Sequence, residues 1–564
     1  MSTTGIYGLS GSGIDVDSMV KVGMLTKQNQ YDKMYKEEVK NEWMKEAYSD
    51  LYSDLNTFNQ TTLSNYKMSA TTSPMTATSS SESVASAAAN ADAASMTHTV
   101  TVTTLASNAY LQTKDKIARG ESGSTSIYLK DILYSSSDLA TQQATYDGMS
   151  DEEKEATALA FTISDGAADD TNAVSKTISL TYKDIFGSGQ TLNDLATKIK
   201  NAGVNIQATY DSVNDSFSLY QKTGGKANQI RLSTSTDANG DAIDSAAATR
   251  AQTLLTNLNL AQVDTTTQTL GTALTFNSTT PEQTAKGTDG SVTIDGKTYS
   301  TTSSKLTVNN VAYTFGATGT TTVTVAQDTD KLVENVKQFV TDYNKMIDAL
   351  NTKYYEKQYS DYGVLTKSQE NAMTQDQITK WNEKAKSGLL YHDQQLGKVI
   401  SAMREALYTP VEGTESNYNT MMSLGISSST DQGHITLDET KLKKALAADP
   451  DCVRNVFAAS GNVTTTNADG TTTTTTNYSN EGVMNRISDA LYANLKTLKS
   501  YAGDSAETSD GSTLGTLIEN LKTKMSDFKV QMSAYEELLY NKYDAMETAI
   551  QQLSVQMGYI TGGS

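Results

Sequence analysis

The sequence is poor in the residues that usually carry chemistry: one cysteine, three histidines, two tryptophans and four prolines in 564 residues. A single cysteine, Cys452, forms no intrachain disulfide, so no covalent staple supports the fold. It sits in DPDCVRNVF beside Val453 and Phe457, which reads as a small buried hydrophobe rather than a nucleophile. His98, His392 and His434 lie far apart and form no H-x-x-x-H or H-E-x-x-H pair, so no metal site is expected. No stretch approaches the run of about 18 apolar residues that a membrane span needs. The start lacks a basic region followed by an apolar one, so no cleaved signal peptide is expected.

Positive charge is also scarce. Lys and Arg number 45 against 65 Asp and Glu, a net charge of −20, with a pI near 4.7. Nucleic acids and anionic membranes both demand basic patches, so neither is an expected partner. Only 37% of residues are hydrophobic and the mean hydropathy is −0.45, which implies thin cores and extensive surface. The length exceeds what one core of about 250–300 residues can organise, so several domains are expected.

Motifs for catalysis are missing too. GLSGSGIDVDSMV (8–20) carries Gly8, Gly11 and Gly13, but the third glycine of a dinucleotide fingerprint is replaced by Val16, and the first lysine, Lys21, lies in no P-loop. These glycines read as the flexible end of a helix capped by Asp15 or Asp17. TDANGDAID (236–244) has Asp237, Asn239 and Asp241, yet Ala242 and Ala248 occupy the positions where a calcium loop needs glycine and glutamate. There is no G-x-S-x-G, no Cys–His arrangement and no acidic pair set apart as acid and base. The expectation is a protein that is not an enzyme and uses no cofactor.

What is present is periodicity. Residues 18–68 read as helix, with Met44, Tyr48, Leu51, Leu55 and Phe58 on one seam flanked by Trp43 and Tyr52. Residues 71–95 are Ser, Thr and Ala with little pattern and read as a crossing segment. THTVTVTTL then alternates, putting His98, Val100 and Val102 on one face, and strand signals recur to residue 327. Thr191 and Asp194 frame a short helix. Helix returns with Leu332, Val336, Phe339, Val340, Tyr343, Ile347 and Leu350 in one stripe. Residues 461–478 read as a Thr-rich hairpin about Asp469-Gly470. The strongest pattern comes last: Ile518, Met525, Met532, Leu539, Met546, Leu553 and Ile560 repeat every seventh residue, a coiled-coil-like helix about 65 Å long. Helical ends flanking a β-rich middle define an α+β multidomain class, with long coiled-coil-like terminal helices around inserted β-rich domains.

Several of these stretches resemble the flagellar filament cap family, hook-associated protein 2 (FliD). They are GSGIDVDSMV (11–20), VTVTTLASNAY (100–110), FVTDYNKMIDAL (339–350), ITKWNEKAKSGLLYHD (378–393), the 424–457 block and YEELLYNKYDAMETAIQQLSVQM (535–557). The stretch 191–232 is similar to a β-rich module shared among flagellar axial proteins. The resemblance implies a ring-like homo-oligomer, often a pentamer, at the filament tip. It implies export through the flagellar type III channel without a cleaved signal, and an extracellular location. The implied partners are further copies of the chain, flagellin, an export chaperone and hook-associated proteins. It further implies a mobile helical leg at 1–45, a helical stalk at 46–70 plus 330–510, a β-rich domain at 71–125 plus 285–329, an inserted outer β-rich domain at 126–284 and a C-terminal leg at 511–564. The contact stripe would run through Met44, Tyr48, Leu51, Leu55 and Phe58 and through Ile518, Met525, Met532, Leu539, Met546, Leu553 and Ile560, with pairing inside the chain left open for 514–539 and contact with another molecule expected for 540–560, and with Gly8, Gly11 and Gly13 as the flexible leg end. Two alternatives stay open at this point: a hook–filament junction protein, and a tip adhesin whose Tyr-containing head binds host glycans or mucin.

Overall fold

The computed structural model describes residues 15–561 except 122, 266, 415, 430–431, 467–470 and 504–509. The chain divides into two compact units, Met1–Pro74 with Asp328–Ser564, and Met75–Gln327. Gly8, Gly11, Gly13 and the Asp469-Gly470 turn lie outside the described residues.

The first unit is mainly helical. Its N-terminal helix, Val16–Thr57, starts where the Asp15 carboxylate accepts the Ser18 N–H, and a π-helical turn, Phe58–Leu63, extends it. Helix Thr329–Tyr354 buries the stripe read from sequence, with Phe339 at its centre. Edge contacts place the Phe339 ring 5.3 Å from Tyr66 and 5.1 Å from Phe457. Asn344 explains why an amide follows Tyr343 in FVTDYNKMIDAL. Its Oδ1 accepts the Ile435 N–H and its Nδ2 donates to the Ile435 carbonyl, both at 2.9 Å, so the helix grips strand Ile435–Leu437. Cys452 is fully buried in this core, and burial pushes its thiol up to about 12.

Helix Val483–Ala502 belongs to the same core and carries an arginine on its buried face. Arg486 is 0% exposed and donates to the carbonyls of Tyr478, Thr409, Pro410 and Ser479. The guanidinium also lies 5.3 Å from the Tyr478 ring centre. These bonds fasten the start of the helix to the base of a hairpin, Ser460–Thr466 paired with Thr472–Glu481.

The second unit holds two β-rich cores. In one, an antiparallel sheet runs Met75–Ser79, Gly319–Gln327, Thr97–Thr104, Gly290–Ile294, Lys297–Thr301 in space. It shares its core with a three-stranded sheet of Lys305–Val308, Val311–Phe315 and Ala85–Ala89. Residues 71–95 are therefore not a plain crossing segment, since they contain two strands. Alternating Ala with Ser and Thr gives little hydropathy contrast, and the burial comes from across the ladder, with Ala77 opposite Val325 and Ala87 opposite Tyr313. His98 is buried, with Nδ1 2.7 Å from Asp295 Oδ2. Asp295 and Gly296 form the positive-φ turn of the Gly290–Thr301 hairpin, so the imidazole anchors that turn.

The other core lies among a five-stranded sheet containing Tyr110–Thr113 and Ser216–Gln221, a four-stranded sheet containing Thr157–Ser164, and helices Leu192–Lys200 and Ser245–Asn257. Thr191 and Asp194 close the expected capping box on the first of these helices.

Candidate functional site

The seven-residue repeat forms one helix, Thr513–Thr561, about 73 Å long at about 1.5 Å per residue. Its first half runs antiparallel along the N-terminal helix. Lys45 is paired with Asp510; Lys522 Nζ lies 2.7 Å from Glu42 and 3.4 Å from Glu38; the Tyr540 hydroxyl donates to Asp17 at 3.1 Å. Between these, Lys27 lies 5.3 Å from the Phe528 ring centre and 5.8 Å from that of Tyr535. Gly23 admits the Leu539 side chain, because a Cβ there would sit 2.7 Å from Leu539 Cδ1.

The electrostatics of this seam follow from its partial burial. Burial raises the Glu38 carboxyl, and the neighbouring Glu42 carboxylate adds to that rise. Lys522 is raised by its hydrogen bond to Glu42. At the turn into the C-terminal helix, burial alone would raise Asp510. The hydrogen bonds from Lys45 and from the Ser512 side chain and backbone outweigh it and hold the carboxyl at about 2. A carboxyl depressed in the folded state stabilises the fold above its ordinary value of 3.8, and that contribution disappears as pH falls toward 2. We expect Asp510→Asn to cost about 1–2 kcal/mol at neutral pH and to bring the two chains to similar stability near pH 2. Urea midpoints between pH 7 and 2 check this; a constant gap across that range would contradict it.

The structure divides the expected contact stripe. Leu51 and Leu55 are fully buried, and Tyr48 and Phe58 nearly so, inside the helical core, with Met44 half-buried against it. Ile518, Met525 and Leu539 are buried and Met532 is half-buried. The helix facing this one begins at Val16, opposite Tyr540, so the repeat outruns its partner. Met546 is exposed, and Leu553 and Ile560 are 60% and 80% exposed, beside Met557 and Tyr559. The sequence repeat marks the whole stripe as apolar but carries no record of where its partner ends.

Two features escaped the sequence reading. Arg486 left a signal, a charge three residues after Val483 on an otherwise apolar face, that composition and motif searches pass over. The second is a groove of about 660 Å³ in the β-rich unit. Tyr110 and Tyr220, opposite one another on paired strands, line it with Asn108, Ser107, Thr209 and Ser218, and no charged side chain takes part. No spacing rule brings residues 110 and 220 together; only the strand pairing does.

Among the described residues, no group of three or more His, Cys, Asp or Glu could hold a metal ion, and no helix is long and apolar enough to cross a membrane. The Asp237 carboxylate instead accepts the N–H groups of Asn239 and Asp241 within a turn.

Residues 12–109 match the family described as flagellar hook-associated protein 2 N-terminus, and residues 287–555 that described as its C-terminus. The chain is 31% identical over 263 residues to flagellar hook-associated protein 2 of Halalkalibacterium halodurans, covering 45% of this chain and 49% of that protein. It is 27% identical over 271 residues to the Thermotoga maritima protein of the same name, covering 45% of this chain and 38% of that protein. The chain thus spans about half the length of the curated relatives it matches, or less. Among solved structures, the D1-D2-D3 domains of the flagellar cap protein FliD from Escherichia coli align over 84% of this chain and 99% of that one, at 18% identity and a TM-score of 0.46. With both family regions matched in order, together over more than half its length, the chain belongs to the flagellar hook-associated protein 2 (FliD) family.

Proposed function

We propose that this protein caps the growing tip of an extracellular flagellar filament. Copies of the chain form a ring-like oligomer, and gaps between its helical legs admit newly exported flagellin, which folds and joins the filament there. The protein makes and breaks no bonds; it acts by geometry. The observation that supports this reading best is the row Met546, Leu553 and Ile560, which continues a coiled-coil repeat past the end of its intrachain partner. Covering each large side chain gains roughly 1.5–3 kcal/mol, and a neighbouring subunit or flagellin is the expected cover.

The test is complementation of a cap-deficient flagellated strain with the full chain and with Leu553→Glu/Ile560→Glu. We expect the parent chain to restore filaments. The exposed-face variant should keep the parent's unfolding midpoint, yet release flagellin into the medium as monomers. Filaments of normal length from the variant would remove this stripe from the mechanism.

The groove at Tyr110 and Tyr220 supports a second, compatible reading. Two aromatic faces beside hydroxyl and amide groups, without charge, suit a neutral saccharide, as a tip-located adhesin would require. Loss of glycan binding on Tyr110→Ala/Tyr220→Ala, with filament growth intact, is the expected result.

A further inference from the structure

The Thr-rich hairpin stands by itself as a two-stranded sheet. Ser460–Thr466 and Thr472–Glu481 pair with one another, and among the described residues no third strand lies against them, although the Glu412 N–H donates to the Ser479 carbonyl and so engages the base of the second strand. An isolated two-stranded sheet is marginal in water, and exposed edges in natural proteins are ordinarily blunted by Lys, Pro or other charge. This one is not blunted: residues 460–480 contain no proline and a single charged residue, Asp469, in a chain of net charge −20. The threonines are β-branched and favour extended backbone.

The base of the hairpin, by contrast, is built to hold it in place. Arg486 secures the carbonyls of Tyr478 and Ser479, and Asn485 Nδ2 donates to the Ala459 carbonyl at 2.7 Å. Gly461 has φ +68, and a Cβ there would sit 2.3 Å from Glu481 Cγ. At Gly482 a Cβ would come within 2.5 Å of the Phe457 carbonyl oxygen. A firmly mounted element therefore carries two exposed strands whose one charged residue, Glu481, is buried at the base.

We propose that these edges join neighbouring copies of the chain. The outer edge of the second strand beyond its fastened base, residues 472–477, in one copy pairs antiparallel with the outer edge of Ser460–Thr466 in the next. This rests on the ring reading above. Hairpins standing side by side place a second strand against a neighbour's first strand, and the two run in opposite directions. Copies of a strongly acidic chain repel one another over most of their surface, so an uncharged edge is where they can approach. The hairpin already contains the kind of contact such a joint repeats: Thr464 Oγ1 lies 3.1 Å from Thr474 Oγ1 across the ladder.

Chains with one introduced cysteine test this directly, because Cys452 is buried and leaves the introduced residue as the accessible thiol. Thr464→Cys or Thr466→Cys is mixed, in the full chain, with a differently tagged chain bearing Thr472→Cys, Thr474→Cys or Thr476→Cys. These positions share one face of the hairpin; Val463→Cys, on the other face, is the control. Mild oxidation is followed by mass analysis of cross-linked pairs, and native mass spectrometry of the same mixtures reports whether rings form. We expect disulfides between first-strand and second-strand positions of different chains, severalfold above the Val463→Cys control and strongest at one register. Rings without such cross-links would overturn the joint and leave the cap reading standing. Cross-links only between identical positions would also overturn it, since they report a symmetric pair. Absence of both rings and cross-links would overturn both.

Discussion

Arg486→Ala is expected to destabilise the helical unit by about 3–5 kcal/mol, because several buried carbonyls lose a charged donor at once. The side chain is 0% exposed and serves four carbonyls from two separate segments, 409–410 and 478–479. Truncation removes every donor at once and leaves those oxygens buried without partners, each a desolvation cost of about 1–3 kcal/mol before relaxation. Arg486→Met should be nearly as damaging, because it fills the space and satisfies no carbonyl. Arg486→Lys should be intermediate, since an ammonium cannot span two segments as a planar guanidinium does. Cys452 lies in the same core, so its reaction with a thiol reagent across a urea titration reports on this unit separately from the β-rich one. A shift below about 1 kcal/mol for Arg486→Ala would mean that water replaces the guanidinium at little cost.

Two shortened chains should behave oppositely. Ending the chain after Asn541 removes Met546, Leu553, Met557 and Ile560, all exposed, so the thiol-reported urea midpoint should not move. Ending it after Thr513 removes Ile518, Leu521, Met525 and Leu539, all buried. Each contributes roughly 1.5–3 kcal/mol of burial, and the loss also strips the N-terminal helix of its partner. Amide exchange across residues 16–45 should then accelerate strongly in the second chain and stay protected in the first. Equal destabilisation by both truncations would place the residues beyond Asn541 in this chain's own core and remove the basis for an intermolecular stripe.

The helical stripes were legible in the sequence because periodicity is local. Leu332 to Leu350, the capping box at Thr191 and Asp194, and the seven-residue repeat each lie within one element, where spacing alone sets the face. The β-rich middle was only partly legible. Strands such as Ala85–Ala89 show no contrast along the chain and acquire burial from Tyr313 and its neighbours, more than two hundred residues away.

What the sequence by itself determined, then, is the class of the protein: helical ends, a β-rich middle, an acidic surface and an apolar repeat of defined period. Tertiary structure alone decided how that repeat is used. The N-terminal helix begins at Val16 and meets Tyr540, and that starting point makes Leu539 core while Leu553, beyond it, is exposed. It likewise decided that Arg486 is a buried fastener, and that Tyr110 and Tyr220 share a groove. Periodicity fixes which side of a helix is apolar. Which part of that side finds a partner depends on where another segment of the chain ends, and no local pattern encodes that.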